Sequence, residues 1–379
     1  MTERLAGLYL HVPFCARVCP YCDFAVRTGD VARRRRYADH LVSEIDLWAG
    51  YPQRFDTIYF GGGTPSLLPP DELARIVGAA LERLSFPERP WIFLEANPDD
   101  VTAEAVAAWR GLGVDTLSLG VQTLAPDGLR FLGREHAPED TRRAVELALA
   151  GGFHTVSIDL IYGLPGQTPA MWRHDLDRAL ELGAHHLSCY QLTIHAGTRF
   201  GLLARRGELT ELPNETQAEL FRLTHRYLND AGLVGYEVSQ FAAGPEHFSR
   251  HNTKYWDHTP YLGLGPSAHS FDRDRRWWNL RRTDPWQESI HRGERPVEDE
   301  ETLGPRELAL EALMTGFRTY AGVDLARLRT RFGVDLLATN ATVVERLVGE
   351  GRLTLQNGRL VPTLEGLAVA DSLAVMFEA

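Results

Sequence analysis

The sequence predicts an α/β protein in which a partial, open (β/α)6 barrel is followed by a small helical, winged-helix-like domain. Two patterns support this fold class. Six short apolar runs alternate with amphipathic helical stretches as far as residue 195, and the chain ends in helices followed by a hairpin signal. Strands separated by helices pair in parallel through right-handed crossovers. Six units, where a closed barrel of this type has eight, indicate an open barrel.

The strands and helices of the predicted barrel follow from these apolar patterns. The predicted strands cover residues 7–11, 57–60, 91–96, 116–121, 155–161 and 186–192. The predicted helices cover residues 33–49, 70–86, 103–111, 139–150 and 168–182. In barrels of this kind the chemistry collects at the carboxyl ends of the strands, so we expect the functional site there.

Residues 196–302 are predicted to extend the barrel domain of residues 1–195. A helix is predicted over 214–231 and a short strand over 235–240, before a segment rich in aromatic residues and histidines. The last ten residues of this region, GERPVEDEET, are charged and contain a proline, which predicts a linker over 293–302.

Residues 303–379 are predicted to form the separate C-terminal domain. Leu308, Leu310, Met314 and Phe317 give the apolar face of its first helix, and further helices are predicted over 324–332, over 336–349 and from residue 363. The dipeptide at 357–358 is Asn-Gly, the strongest signal for a two-residue hairpin. A packing role for this domain is favoured over nucleic-acid binding because the chain is acidic.

Composition bounds the function classes further. The chain has 379 residues, a formal net charge of −11 and 44% hydrophobic residues. An acidic chain lacks the basic face of a broad nucleic-acid footprint, so no nucleic-acid partner is expected. No apolar run approaches the roughly 18 residues of a membrane helix, and no signal peptide is visible. The four cysteines do not form a disulfide framework. A cytoplasmic location is therefore expected.

Three cysteines follow the first predicted strand directly. Cys15, Cys19 and Cys22 have the spacing C-x3-C-x2-C. Full protein ligation of a 4Fe–4S cluster takes four cysteines, so three leave one iron open to another ligand. A zinc site is the alternative, because zinc takes four nitrogen or sulfur ligands. His11, which lies in a strand-like run, and the distant Cys189 are the available fourth ligands, and a site without metal also stays open.

Polar or glycine residues stand at the ends of the other predicted strands. A glycine run, Gly61-Gly62-Gly63-Thr64, follows the second strand, where its backbone can approach a ligand closely. Glu95 and Gln122 end the next two strands, Asp159 lies within the fifth, and Arg134 follows a short apolar run. A structural hydrogen bond is the alternative role for each, but one polar residue per strand end favours a site.

These motifs together resemble those of the oxygen-independent coproporphyrinogen III oxidase-like family of radical S-adenosylmethionine (SAM) proteins. The resemblance covers about residues 7–270 and rests on LYLHVPFCARVCPYCDF, YFGGGTPS, LEANPDD, LSLGVQT, FLGREH and IDLIYGLPGQT. It implies a 4Fe–4S cluster on Cys15, Cys19 and Cys22, with SAM on the open iron. The SAM-binding residues that it implies are Tyr9, Tyr21, Phe24, Gly62, Gly63, Thr64, Glu95, Gln122, Arg134 and Asp159.

Two departures separate the chain from the decarboxylating oxidases of this family. Phe24 stands where those oxidases carry a further cysteine, two positions after Cys22. The chain also has six residues ahead of its first strand, where the oxidases have an extension of several dozen. Both differences argue against the decarboxylation of a porphyrinogen.

The segment His251-Asn252-Thr253-Lys254-Tyr255-Trp256 resembles the HNxxYW motif of the heme chaperones in this family. An imidazole can ligate heme iron, and aromatic side chains can cover a porphyrin face. Apart from the resemblance, a histidine beside aromatic residues is more often a packed core residue. The rival ligands are His247, His258, His269 and Cys189.

The predicted function is therefore that of a heme chaperone, which binds heme and delivers it to acceptor apoproteins with the support of the cluster and SAM. Its expected partners are heme and heme-accepting apoproteins, with membrane respiratory enzymes among the candidates, and a homodimer stays open. One alternative is an oxygen-independent coproporphyrinogen III dehydrogenase, or another radical SAM enzyme acting on a tetrapyrrole. A zinc-stabilised interaction protein is the alternative from a different class.

Overall fold

The computed structural model describes residues 4–378 and is built around one twelve-stranded sheet. Its centre consists of six parallel strands in chain order: β1 (Ala6–Val12), β2 (Phe55–Gly62), β3 (Trp91–Ala96), β4 (Val114–Gln122), β5 (Thr155–Tyr162) and β6 (His186–Gln191). All six predicted strands are present. Each observed bound lies within about two residues of the expected one, as usual where strand ends are read from apolar runs.

Helices connect these strands and cover one face of the sheet. They are α1 (Val31–Leu47), α2 (Pro70–Arg83), α3 (Ala103–Leu112), α4 (Pro126–Phe131), α5 (Pro138–Ala150), α6 (Pro169–Glu181), α7 (Arg199–Arg205) and α8 (Asn214–Asp230). Side-chain oxygens cap several of their first turns; Asp30, for example, accepts a 2.8 Å hydrogen bond from the backbone N–H of Arg33. The helices predicted from the pattern are confirmed, while α4 and α7 were too short to predict.

The alternation of side chains along β1 shows how the sheet divides core from site. Leu8 and Leu10 are fully buried in the main apolar core, where the strands meet the helices. Tyr9 and His11 lie on the opposite face and contact each other through the Tyr9 hydroxyl and the His11 imidazole. Because the register pairs Tyr9 with Tyr59, this second face continues from strand to strand.

The sheet is open, as predicted. The neighbours of β1 are β2 and β9 (Tyr261–Leu264), so β1 does not pair with β6 within residues 4–378. Further strands extend both sides of the six: β7 (Val234–Gly235), β8 (Gln240–Ala242), β10 (His269–Asp272), β11 (Arg275–Asn279) and β12 (Val297–Thr302). Two helices of this extension are α9 (Asn252–Trp256) and α10 (Thr283–His291).

Two predictions for this extension are wrong. Residues 235–240 do not form one strand, because the backbone of 236–238 bonds to 318–320 of the C-terminal domain and separates β7 from β8. Residues 293–302 are not a linker, because 297–302 form the edge strand β12 on β11. The charges that suggested a linker pair across the two strands, as in Arg275–Glu300 and Arg276–Glu301. Exposed charge is also a common protection of an edge strand.

The C-terminal part forms its own apolar cluster around Leu313, Phe317 and Leu347. Its elements are α11 (Pro305–Gly316), β13 (Val323–Asp324), α12 (Leu325–Phe332), α13 (Leu336–Thr339), α14 (Ala341–Gly349), β14 (Leu353–Gln356), β15 (Arg359–Pro362), α15 (Leu364–Leu367) and α16 (Ala370–Ala374). Helices with a three-stranded sheet agree with the winged-helix-like prediction. In the hairpin between β14 and β15, Asn357 and Gly358 both have positive φ, of 50° and 72°.

Two details of this domain differ from the prediction. Met314 is 40% exposed, so the apolar face of α11 is completed by Leu313 and not by Met314. The single helix predicted over 336–349 breaks at Asn340, whose side chain bonds to the backbone N–H and C=O of Glu378. No helix within residues 4–378 combines the length and the apolar character that a membrane crossing requires.

Candidate functional site

The loop after β1 carries the three clustered cysteines at the carboxyl end of the parallel strands. The backbone N–H of Cys15 donates to the carbonyl of Arg27 over 3.0 Å, and the N–H of Arg27 donates to the carbonyl of Pro13 over 2.7 Å. Pro20 is held from outside, since its carbonyl accepts a 2.9 Å hydrogen bond from Phe200. The loop is therefore closed at its base and anchored at its tip, with all three thiols free and partly exposed.

The three thiols influence one another. Burial raises the pKa of Cys15 to about 11, and the neighbouring Cys22 and Cys19 raise it further, while the hydroxyl of Thr64 and the charge of Arg134 act in the opposite direction. Burial also raises the pKa of Cys22. Since thiolates are the metal-binding form, this loop needs a positive ion or cluster to deprotonate it at neutral pH.

Neither candidate for the fourth ligand of a zinc site, His11 or Cys189, is available to the cysteine loop. Both nitrogens of His11 are engaged, Nδ1 with the Tyr9 hydroxyl and Nε2 with the carbonyl of Ala25, each over 3.1 Å. Cys189 is buried in the main core on β6, five strands from β1 in the sheet. Within residues 4–378 no three His, Cys, Asp or Glu side chains are grouped closely enough to hold a single ion.

The glycine run after β2 fits against the base of the cysteine loop. A Cβ atom on Gly62 would lie 2.6 Å from the His11 ring, and a Cβ atom on Gly63 would lie 2.6 Å from the carbonyl oxygen of Phe14. Gly62 also has φ of 109°, in the region that favours glycine. The backbone N–H of Thr64 donates to the same Phe14 carbonyl over 2.6 Å. The glycines are therefore required for the close approach of the two loops.

Glu95 and Asp159 are partly buried carboxyl groups on the inner face of the sheet. Glu95 accepts hydrogen bonds from the Tyr59 hydroxyl over 2.7 Å and from the Gly62 N–H over 3.1 Å. Burial raises its pKa to about 7, against the lowering effect of the Tyr59 hydrogen bond and with a further rise from Asp159. Burial also raises the pKa of Asp159 to about 6, although hydrogen bonds from Ser188 and Ser118 lower it. Two such carboxyl groups favour a cationic ligand.

Arg134 stands between the cysteine loop and the strand ends. Its Nη1 donates a 2.7 Å hydrogen bond to the side-chain oxygen of Asn97, while its Nε is buried with no hydrogen-bond partner within residues 4–378. Burial alone would lower its pKa, but the neighbouring Tyr21 and Cys19 raise it, so the guanidinium stays charged. A partly buried cation with an unused donor is suited to a carboxylate ligand.

Gln122 belongs to the same group of side chains. It is buried at the end of β4 with φ of 70°. A Cβ atom on Gly120 would lie 3.0 Å from the amide nitrogen of Gln122 and 3.3 Å from both Arg134 and Asn97. These three polar side chains therefore surround one glycine, next to the cysteine loop.

A cavity of about 390 Å³ opens beside this network. It is lined by four of the predicted SAM residues, Tyr9, Phe24, Gly62 and Glu95, and by Tyr255 of the predicted heme motif. Phe24 is 63% exposed, so this aromatic ring is available to a ligand. The structure thus brings most of the predicted SAM residues together around the cysteine loop, in this cavity and in the Arg134 network, while Asp159 lines a separate narrow cavity that also borders Glu95.

Two residues of this site were missed in the sequence. Tyr59 bonds to Glu95, and Asn97 bridges Arg134 and Thr64 through a 2.7 Å and a 3.2 Å hydrogen bond. Both carried a signal that was available. Tyr59 shares the inner face of β2 with Gly61 by the two-residue period, and Asn97 follows β3 directly, two residues after Glu95.

His251 precedes α9 and is buried against the inner face of the sheet. Its Nδ1 bonds to the Thr57 hydroxyl and its Nε2 to the Tyr255 hydroxyl, each over 2.9 Å. The ring centroids of Tyr59 and Tyr9 lie 5.0 and 6.4 Å away. Burial lowers its pKa to about 3. In this conformation His251 is a packed, neutral histidine with both nitrogens occupied.

The other residues of the predicted heme motif point in different directions. Tyr255 lines the 390 Å³ cavity, and Asn252 lines a narrow cavity of about 50 Å³ under Glu95 and Asp159. Trp256 lines a third cavity, of about 290 Å³, against the C-terminal domain. The structure therefore does not bring the four motif residues together in one pocket.

The other histidines considered as heme ligands also lie far apart in different parts of the structure. His247 bonds to the Thr155 hydroxyl over 2.9 Å and stacks on His185 with ring centroids 4.7 Å apart. His269 is exposed at the 390 Å³ cavity. His258 lines the 290 Å³ cavity together with Trp256.

Comparisons with protein families agree with this geometry. A model of the radical SAM superfamily matches residues 9–179, and a model of the HemN C-terminal domain matches residues 303–369. The first match spans the cysteine loop, the glycine run and the strand ends described above.

Comparisons with curated proteins extend over nearly the whole chain. The heme chaperone HemW of Mycobacterium tuberculosis is 35% identical over 372 residues, which cover 97% of this chain and 93% of that protein. The heme chaperone HemW of Bacillus subtilis is 32% identical over 368 residues, 96% of each. Among solved structures, the radical SAM enzyme coproporphyrinogen III oxidase (HemN) of Escherichia coli superposes with a TM-score of 0.84, covering 100% of this chain and 91% of that one. With 21% identity, this likeness shows the fold alone.

Proposed function

Because the chain belongs to the HemW family of radical SAM proteins, we propose that it is a heme chaperone that binds heme and transfers it to acceptor apoproteins. The observation that carries the proposal is the match to curated heme chaperones along nearly the whole chain. A shared fold without this match would leave the function open, since one fold serves many functions.

The proposal includes a 4Fe–4S cluster held by Cys15, Cys19 and Cys22. The residues present suit it, because three free thiols lie on one anchored loop next to the positive charge of Arg134. A cluster with three protein thiolates supplies one iron with an open coordination position. The neighbouring charge of Arg134 also offsets the negative charge of the thiolates.

SAM is the proposed occupant of the region beside the cysteine loop. Arg134, with its unused Nε donor, would hold the carboxylate of SAM. The carboxylate of Glu95 would pair with the cationic groups of SAM. Asp159, which lies close enough to raise the pKa of Glu95, adds negative charge on the same face. Phe24 and Tyr9 would cover the ligand from the open side of the 390 Å³ cavity.

Phe24 also favours a chaperone over a porphyrinogen oxidase. It occupies the position two residues after Cys22, and its exposed ring lines the cavity that Tyr9 and Glu95 share. An oxidase of this family would place a thiol there. The chain thus presents an apolar contact to the ligand where the oxidase has a fourth sulfur.

The segment from His251 to Trp256 connects the two regions on which heme handling would depend. Tyr255 faces the proposed SAM cavity and Trp256 faces the cavity at the C-terminal domain. Lys254 fastens the segment between them, donating to the Leu5 carbonyl over 2.8 Å and pairing with Asp56 over 2.7 Å. One short helix therefore borders both cavities.

The proposal extends to partners and location. We propose heme-free respiratory enzymes, including membrane-bound ones, as acceptors, the reducing cytoplasm as the compartment, and a second copy of the chain as a further partner. Free thiols at the proposed cluster are consistent with a reducing compartment. Sedimentation of the reconstituted protein with and without heme tests the dimer.

Two assays on one anaerobic preparation test the function. Reconstituted protein is titrated with heme, and a second aliquot is reduced and incubated with SAM and coproporphyrinogen III. We expect saturable binding of heme and no conversion of the porphyrinogen. Vinyl-bearing products without heme binding would replace the chaperone with the alternative, a coproporphyrinogen III dehydrogenase.

A further inference from the structure

The cavity of about 290 Å³ between α9 and the C-terminal domain lies outside the proposed SAM site. Trp256 and Phe248 line it from the barrel extension, and Tyr320 and Phe332 line it from the C-terminal domain. Its volume is close to the lower end of the ~300–1,000 Å³ that small-molecule sites occupy. Aromatic walls on both sides favour a flat ligand with an apolar face.

Part of this aromatic surface is fixed by contacts within the protein. The ring of Phe248 stacks on that of Tyr236 with centroids 4.1 Å apart, and Tyr320 meets Phe248 edge-on at 6.1 Å. The Tyr236 hydroxyl lies 2.9 Å from Nε2 of His186. These rings are therefore in place before a ligand binds, and such preorganisation lowers the entropic cost of binding.

Two arginines of α12 bring positive charge to the same cavity. Arg327 and Arg331 both line it, and because they are four residues apart they share one face of the helix. Arg327 donates to the backbone carbonyl of Asp257. Arg331 is exposed. Within residues 4–378 neither guanidinium forms an ion pair with a carboxylate, so both keep an unneutralised charge.

The acidic residues of the cavity are bound to other arginines. Asp257 pairs with Arg4, and Asp324 pairs with Arg359 over 2.9 Å. Asp324 is further occupied as the cap of α12, where its side chain accepts a 2.9 Å hydrogen bond from the backbone N–H of Arg327. With both carboxylates engaged, the arginines of α12 leave an excess of positive charge at the cavity.

The surroundings of these two arginines disfavour their charge. Burial lowers the pKa of Arg327 and Arg331, and the neighbouring charge of Arg4 lowers both further, while Asp257 acts in the opposite direction. An arginine whose main neighbour is a carboxylate has a raised pKa instead. An anionic ligand would offset the repulsion among the three guanidiniums, so the cavity favours an anion.

A larger cavity, which shares His258 with the first, has the opposite character. It measures about 640 Å³ and carries Glu301, Glu307 and Glu311. Its one arginine, Arg276, already pairs with Glu301 and Glu311. An anion would meet repulsion there, so the charge distribution selects the smaller cavity.

We propose that the 290 Å³ cavity binds a small aromatic phosphate monoester of the nucleoside monophosphate class, with its base against Trp256 and Phe332 and its phosphate on Arg327 and Arg331. A phosphate monoester carries a charge of about −1.5 to −2 at neutral pH, which matches two guanidiniums. The planar donors of arginine suit phosphate oxygens, and an aromatic side chain can stack on any base. This site goes beyond the proposed chaperone function, because it gives the protein a second small-molecule ligand at the interface of two domains.

The test is a calorimetric titration of the full-length protein with AMP in the presence of excess SAM. The excess SAM keeps the adenosine part of the probe out of the proposed SAM site. Three further probes are titrated alongside: adenosine lacks the phosphate, ribose 5-phosphate lacks the base, and benzoate carries a carboxylate in place of the phosphate. We expect saturable binding of AMP and at least about tenfold weaker binding of each of the other three probes.

Two arginines of α12 form a matched pair of variants on exposed positions that do not endanger the fold. Arg331 lines the cavity, whereas Arg329, in the same last turn, does not. Either variant removes one positive charge from the end of the helix, so this general effect is common to both. We expect Arg331→Ala to weaken AMP binding about tenfold and Arg329→Ala to leave it within about twofold. Wild type and Arg331→Ala should bind adenosine equally, since adenosine has no phosphate.

Equal AMP affinities of the two arginine variants, or the absence of AMP binding by the wild-type protein, would overturn this site. Adenosine or ribose 5-phosphate binding as tightly as AMP would overturn the assigned ligand class, and so would tighter binding of benzoate. None of these results bears on the chaperone function, which the heme titration of the same protein decides separately.

Discussion

The guanidinium of Arg134 donates a 2.7 Å hydrogen bond to the side-chain oxygen of Asn97. The amide nitrogen of Asn97 in turn donates to the Thr64 hydroxyl over 3.2 Å, and that hydroxyl lies close enough to Cys15 to lower the pKa of its thiol. One asparagine thus links the charge proposed for the SAM carboxylate to the glycine run and to the cysteine loop. The positions of these three elements depend on each other.

Replacing Asn97 is expected to weaken SAM binding without removing the cluster. In Asn97→Ala the Arg134 side chain loses its 2.7 Å partner, and a hydrogen bond to a charged group contributes about 1.5–3 kcal/mol. We predict an increase in the SAM dissociation constant of about tenfold or more, measured by equilibrium titration of reconstituted protein. The exposed neighbour Asp99, changed to Asn, is the control. Equal SAM affinities in the Asn97 and Asp99 variants would contradict the bridging role.

SAM affinity is expected to rise with pH through the neutral range. Burial raises the pKa of Glu95 to about 7, so below pH 7 this carboxyl must lose a proton before it pairs with a cation. The affinity should therefore fall by up to about tenfold per pH unit below the midpoint and level off above pH 8. His251 and His11, with pKa values of about 3 and 4, do not titrate in this range.

Two variants identify the titrating group. Glu95→Gln should flatten the pH profile between pH 6 and pH 8. Asp159→Asn should move the midpoint to lower pH, because the charge of Asp159 raises the pKa of Glu95. The midpoint belongs to the interacting pair, so both variants must change it. A profile that both variants leave unaltered would exclude this pair as its origin.

Each of the three loop cysteines is expected to be needed for the cluster, and the fourth cysteine is not. Cys15→Ser, Cys19→Ser and Cys22→Ser should each lose iron and sulfide after reconstitution, together with the EPR signal of the reduced protein. Cys189→Ser is the matched control, since this thiol is buried in the main core on β6. Loss of the cluster in the Cys189 variant, with full retention in Cys22→Ser, would refute the assignment.

Replacement of His251 is expected to lower the free energy of unfolding. His251→Ala leaves a cavity and removes the partners of the Thr57 and Tyr255 hydroxyls, at a cost of about 3 kcal/mol in the free energy of unfolding. The partly exposed His247, changed to Ala, should cost about 1 kcal/mol or less. Urea unfolding of the apoprotein measures both. Equal stabilities of the two variants would show that His251 is not part of the packed interior.

The parts of the fold with a strong period could be predicted from the sequence. The alternation of strand and helix up to residue 195 fixed the order of β1 to β6, and the Asn357–Gly358 dipeptide located the last hairpin. The errors arose where long-range pairing decided the structure. Residues 297–302 became a strand because their acidic side chains meet arginines on β11, a contact that no local pattern displays.

The sequence predicted which residue types line the candidate site, but it did not predict the hydrogen bonds that connect them. Glu95 was predicted because it ends a strand, Asp159 because a carboxylate within an apolar strand needs a partner, and Arg134 because a cation follows a short apolar run; as SAM ligands all three stay predictions. Asn97 was overlooked, since its role depends on the distance between two loops. The arrangement of the heme motif could not be predicted either: its residues are close in sequence, but a short helix turns Tyr255 and Trp256 toward different cavities.

The most direct test of the chaperone function is the transfer of heme to a heme-free respiratory subunit. Reconstituted protein loaded with one equivalent of heme is mixed anaerobically with the apoprotein, and restored heme spectrum and activity are followed against the same amount of free heme. We predict faster and more complete restoration from the loaded chain than from free heme, with the excess reduced in Cys19→Ser. Restoration no better than with free heme, from a protein that carries its cluster and heme, would contradict it.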